Sequence, residues 1–241
     1  MSPSRPGRPP AAFPRSLLAA DGLVAARSLL GARLVRDPDP GLAPDDPPAP
    51  RRVGRIVEVE AYIGLEDRAS HARMGPTDRN RVMFGEPGIA YVYLVYGMHH
   101  CLNVVTGPAG FPAAVLVRSI VPIEGAAAMR RARVARAVTQ RAADRKDPAS
   151  VEARLARLPD IDLAIGPANV TAALGVGRSD TGLDLVDPRS FLRLEPRPGD
   201  EPEPELVATP RIGIAYAGPE WADKPWRLVD ASSPAARRRA P

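Results

Sequence analysis

The chain has 241 residues, a net charge of +5 and a pI near 9.9, with 44% hydrophobic and 25% charged residues. That length suits one good-sized core or two small domains, and the single cysteine excludes an internal disulfide and suits a reducing, cytoplasmic setting. No run approaches the roughly 20 apolar residues of a membrane span, whereas the basic pI makes a polyanionic partner plausible.

Residues 1–14 are Pro-rich, lack an apolar signal core and read as a disordered tail. Leu17, Leu18, Leu23, Leu29, Leu30 and Leu34 recur at helical spacing, which predicts one or two short helices over 17–36. Residues 37–51 are a loop insertion rich in Pro and Asp. Strands are predicted at 56–62, 90–96, 102–105 and 113–121, each short, β-branched or aromatic, and bounded by turn formers. Residues 123–158 read as helical, amphipathic and basic, with a break near Asp147-Pro148. Within 129–158, nine basic residues face three acidic ones, so the rest of the chain sums to −1. A further helix should start near Pro167, a residue suited to a first helical turn. Strands at 205–207 and 211–216 precede a basic tail, 229–241, that reads as disordered. Successive strands without long helices between all of them predict a single α+β domain with a mainly antiparallel sheet flanked by helices.

Chemistry-bearing side chains are concentrated. Four of the five tyrosines, all three histidines and the cysteine lie between residues 62 and 101. In 56–62, strand alternation places Ile56, Glu58, Glu60 and Tyr62 on one face. Such a pair of carboxylates suits a solvated strand face, or a general base beside an aromatic wall. Tyr91 and Tyr93 share a face of the next strand, and Tyr96 precedes Gly97 at a turn where an aromatic could act as a wedge between base steps, with Met98 beside it. The loop 74–81 carries Thr77, Arg79 and Arg81, and Arg73 precedes it, a composition that suits phosphate contacts and equally any exposed basic loop. His99, His100 and Cys101 are consecutive, so they diverge in an extended chain. No metal-ligand spacing accompanies them, and no metal or cofactor is expected.

The stretch from Arg55 to Val105, RIVEVEAYIGLEDRASHARMGPTDRNRVMFGEPGIAYVYLVYGMHHCLNVV, resembles the 3-methyladenine (alkyladenine) DNA glycosylase family. The likeness continues through VLVRSIVPIEG, GPANVTAALGV and RIGIAYAG, and spans roughly residues 15–228. The resemblance implies one curved, mainly antiparallel sheet and hydrolysis of the N-glycosidic bond of damaged purines flipped from double-stranded DNA. By motif position it implies Glu60 as general base, Arg118 as holder of the attacking water, and Tyr62, His71 and Tyr93 as walls around the base. It implies Asn103 as the residue that screens out guanine and Tyr96 as the wedge. A monomer in the cytoplasm, working at the nucleoid upstream of an abasic-site endonuclease, is expected. A binding protein that keeps the surface without turnover is the alternative. No lysine precedes Lys146, so Schiff-base strand nicking is not expected. Asn169 stands where the family pattern leads one to expect a lysine, and His99 and His100 where some relatives carry aromatics.

Overall fold

A computed structural model describes residues 11–38, 50–95, 97–141 and 147–237. The 1–10, 39–49 and 238–241 parts of the predicted tails and insertion, and Tyr96, lie outside the described residues. Two short helices come first, α1 (Arg15–Leu18) and α2 (Gly22–Leu29). The Asp21 carboxylate accepts the Leu23 N–H at 2.9 Å and caps α2, satisfying one of the donors a helix start leaves open. The helical spacing predicted through residue 36 stops earlier, because Gly31 takes a positive φ of 80°. Residues Arg33–Arg36 then form β1, paired on one side with β2 (Arg52–Ile63). Pairing on both edges outweighs the leucine spacing there.

β2 is the spine of the sheet. Its first residues pair with β1, its middle with β8, and its other edge runs along β5 (Ala113–Glu124). β3 (Ala90–Val95) and β4 (His99–Val105) form a hairpin beyond β5. After β5 come α3 (Ala126–Arg141), α4 (Pro148–Ala156) and α5 (Pro167–Leu174). The break expected at 147–148 is a helix cap, with the Asp147 carboxylate accepting from Ala149 and Ser150 N–H. Four-residue elements complete the chain: β6 (Leu192–Glu195), β7 (Leu206–Thr209), α6 (Pro219–Ala222), β8 (Arg227–Asp230) and α7 (Pro234–Arg237). The strand order is β3-β4-β5-β2-β1-β6, with β8 and β7 branching from β2, and all the recorded pairings are antiparallel. This is the expected single α+β domain.

Three local expectations give way. Residues 211–216 are a turn, since Gly213 has φ of 79° and Ala215–Ala217 coil into a 3-10 turn. β8 crosses the boundary placed at residue 228, and buried Ser233 and Ala235 belong to the packed body. Ile56 leaves the face of Glu58, Glu60 and Tyr62. The register along β2 and β5 runs Ile56↔Ile120, Glu58↔Ser119, Val59↔Val117, so Val57 and then Arg118 are supernumerary. This pair of β-bulges inverts the alternation locally. Ile56 therefore joins Val59, Ala61, Val115, Val117 and Ile120 in the main core, while Arg118 and Ser119, although consecutive, both bond Glu58.

Candidate active site

Glu60 is fully buried on β2, yet its charge is surrounded by donors. The Tyr62 hydroxyl donates to Oε2 at 2.9 Å, the Ile212 backbone N–H donates to Oε1 at 2.7 Å, and Arg118 Nη1 lies 3.1 Å from Oε2. A carboxylate has about four acceptor positions, so these three donors leave room for one more, on Oε1. Ile212 explains why 211–216 cannot be a strand, because its N–H is turned toward Glu60 rather than into a ladder.

Arg118 bridges both carboxylates. Its Nε donates to Glu58 Oε1 at 2.9 Å, and Glu58 also accepts from Ser119 Oγ at 2.6 Å and Arg227 Nε at 2.8 Å. Burial opposes ionisation of Glu58, but the Ser119 hydrogen bond and the charge of Arg118 outweigh it and hold the carboxyl below its ordinary range. Burial likewise opposes the charge on Arg118, and Glu60 and Glu58 together raise its pKa instead. Two buried carboxylates are thus tolerated because guanidinium groups meet them with directed N–H donors.

Tyr62 joins this charged layer to a cavity of about 110 Å³. Burial, then the Glu60 charge, pushes the Tyr62 phenol well above its usual range, so it stays a donor. Across the hairpin register, Tyr91 faces Asn103 and Tyr93 faces Cys101, which brings all four side chains to the cavity with His71 and Tyr216. The His71 and Tyr93 rings lie 3.8 Å apart, centroid to centroid, at 33°. Nothing fits between them, so they form one wall together and leave Tyr62 for another. His71 is kept toward its neutral form by partial burial and the nearby Arg79 charge. Asn103 is anchored by donating through Nδ2 to Tyr91 O at 3.1 Å and Cys101 O at 3.3 Å. Burial pushes the Cys101 thiol up to about 11, which leaves it un-ionised and a poor nucleophile at neutral pH.

The predicted contact residues divide. Arg73, Thr77 and Arg79 line a shallower recess that adjoins His71 and Tyr93, whereas Arg81 points away in an exposed ion pair with Asp78. Met98 is 52% exposed at the β3–β4 tip, beside Gly97 with φ of 70°. Among the described residues no group of three His, Cys, Asp or Glu is placed to hold a metal ion.

Several contributors were assigned no role from the sequence. Asn80 ties the loop below His71, donating to His71 O at 2.8 Å and Gly75 O at 3.0 Å while its Oδ1 accepts the Thr77 N–H. Arg211 forms a fully buried bidentate pair with Asp67 at 2.6 and 2.8 Å and donates to Ala61 O at 2.9 Å. Its guanidinium stacks on Tyr62 at 4.7 Å and Trp226 at 4.9 Å. It therefore fixes the Tyr62 ring and the backbone of Ile212 at once.

Comparison with known proteins finds relatives along most of the chain. The model of a family described as methylpurine-DNA glycosylase matches residues 16–234. A protein of Methanocella arvoryzae is 42% identical over 229 residues, covering 95% of this chain and 97% of its own length. One from Anaeromyxobacter dehalogenans strain 2CP-C is 41% identical over 230 residues, covering 95% and 88%, and one from Bacillus cytotoxicus is 37% identical over 216 residues, covering 89% and 93%. All three are provisionally named 3-methyladenine DNA glycosylase.

Proposed function

The chain belongs to the methylpurine-DNA glycosylase family, and from that membership we propose that it receives a flipped, alkylated purine in the Tyr62–His71–Tyr93 cavity and hydrolyses its N-glycosidic bond with a water activated by Glu60. Extruding a base costs a few kcal/mol of unpairing and unstacking. Stacking on aromatic side chains returns about 1–3 kcal/mol per base, and cationic methylated purines gain further from the electron-rich ring faces. Tyr96, which precedes Gly97 in the sequence, fills the vacated stack together with Met98. Asn103, its amide tied to two carbonyls, disfavours purines that carry guanine's additional amino group.

The water donates one proton to the remaining acceptor position on Glu60 while Arg118 steadies its oxygen. The carboxylate also stabilises positive charge developing on the sugar carbon. The reaction stops at an abasic site, because no lysine lines the cavity among the described residues and the Lys224 ammonium is held over the Trp221 and Trp226 rings at 3.9 and 4.8 Å. Double-stranded DNA with damaged purines is the partner, and a separate endonuclease processes the product.

The observation that carries this reading is the buried Glu60 carboxylate, hydrogen-bonded through Tyr62 to the wall of an aromatic cavity. Single-turnover excision from duplexes holding one methylated purine, hypoxanthine or ethenoadenine tests it. Wild type should give breaks only after alkali, and Glu60→Gln should retain lesion binding while losing about 10²–10⁴ in rate, the span of general base catalysis. Near-normal excision by the variant removes Glu60 from its role, and tight binding without excision by wild type identifies a silent lesion binder.

A further inference from the structure

A second cavity, about 150 Å³, lies where β4, α3, α4 and α5 meet. α3 contributes Arg133, Arg136 and Ala137, which share a helix face at spacings of three and four residues. α4 contributes Arg154, α5 Asn169 between Ala168 and Ala172, and β4 His99 and His100. The three alanines leave space that larger side chains would fill. Among the described residues the cavity's lining includes no carboxylate, although three arginines converge on it.

These cations are held by neutral groups. Arg133 donates to Asn169 Oδ1 and Leu163 O, both at 2.8 Å, and Arg136 bonds His100 Nδ1. Arg154 is exposed, and among the described residues none of the three forms a salt bridge. Burial and the charges of Arg154 and Arg130 all work against the charged state of Arg133. Two neighbouring acids are already engaged: Asp160 pairs with Arg130, and Asp147 caps α4. Converging guanidiniums in a concave site without a counter-ion favour an anion that can accept several N–H bonds.

The cavity's place in the fold narrows the anion's identity. On the β3–β4 hairpin, Tyr91, Tyr93, Cys101 and Asn103 turn to the aromatic cavity, while Leu94 pairs with His100 on the opposite face, where α5 packs. The hairpin tip at Gly97 and Met98 therefore has the base cavity on one side and the arginine cavity on the other. We propose that the Arg133–Arg136–Arg154 cavity binds a backbone phosphodiester of the DNA strand opposite the lesion. The hairpin then stands between the two strands, with the flipped nucleotide on its aromatic face and the undamaged strand docked on its cationic face. Asn169 holds Arg133 in place rather than meeting the phosphate itself, so the neutral residue found where a lysine was expected has a positioning task.

This proposal rests on the DNA glycosylase reading, and its test separates the two. Binding of the full-length protein to an undamaged duplex is measured against salt for wild type and Arg136→Gln/Arg154→Gln, two side chains without backbone hydrogen bonds among the described residues. Each lost phosphate contact should reduce the slope of log K against log salt by about 0.9. A neutral methylphosphonate is then moved along each strand of a duplex whose register is fixed by a non-hydrolysable abasic analogue. Wild type should lose affinity at one position of the undamaged strand, and the double variant should lose none there. An unchanged slope overturns the proposal, as does a sensitive position on the lesion strand. A reduced slope without any sensitive position marks a site for free phosphate and also overturns it. If wild type neither binds nor excises, the function reading itself fails.

Discussion

The two faces of the β3–β4 hairpin handle charge in opposite ways. On the aromatic side, Arg118, Arg227 and Arg211 each meet a buried carboxylate, and Glu58, Glu60 and Asp67 are each met by at least one guanidinium. On the helical side, Arg133, Arg136 and Arg154 converge with no acid among the described residues that line their cavity. Pairing fixes side chains and keeps water away, which suits a group that must hold one proton position. Unpaired arginines keep their donors for something that arrives later. The same residue type thus serves positioning in one place and docking in the other.

That contrast can be broken first at its most internally paired point. Arg211→Met leaves Asp67 charged and buried, and such orphaned ions cost about 3–5 kcal/mol. A denaturant midpoint that moves by no more than a surface substitution would show that the pair is dispensable. Excision should fall as well, since Tyr62 and Ile212 both lose a support. The hydrogen bond from Tyr62 to Glu60 is the next step down. Tyr62→Phe keeps the ring for stacking and removes a donor to a charged group, an interaction of about 1.5–3 kcal/mol. Its expected signature is a reduced excision rate with lesion affinity retained; a loss confined to affinity would assign Tyr62 to stacking alone.

The mildest probe is pH. Glu58 has a folded pKa below that of the unfolded chain, where a glutamate titrates near 4.3. Its contribution to stability is complete above that unfolded value and disappears as pH falls through the lower folded value. Urea unfolding between pH 3 and pH 6, ranges set by those carboxylate values, should therefore show stability rising with pH. Glu58→Gln should be less stable toward pH 6, converge on wild type as pH falls, and so have a flatter profile. An unaltered pH slope would mean that other carboxylates carry the acid sensitivity.

Much of the site was readable because the aromatic and titratable residues are so concentrated. Strand alternation alone placed Glu58, Glu60 and Tyr62 together, and the hairpin that unites Tyr93 with Asn103 followed from two adjacent strand-like runs. What sequence could not supply were interactions across long chain separations. Asp67 and Arg211 are 144 positions apart, and neither stands in a periodic pattern. The run 211–216 has strand-like composition, yet its backbone serves Glu60. β6 and β8 are four residues long, too short for periodicity to register. Ile56 was misplaced because a bulge is a property of two strands together, and one strand's alternation carries no trace of it.

Those bulges at Val57 and Arg118 also bear on how faithfully the sheet can be assembled. Strands this long, Arg52–Ile63 against Ala113–Glu124, could slide past one another by a residue while still satisfying most backbone hydrogen bonds. A slip of one residue exchanges the faces and would send Glu60 into a hydrocarbon interior without Arg118, at the cost of an uncompensated charge. The irregularity that assembles the charged layer thereby ties the correct register to the pairing of Glu60 with Arg118, so that out-of-step sheets are disfavoured by an uncompensated buried charge.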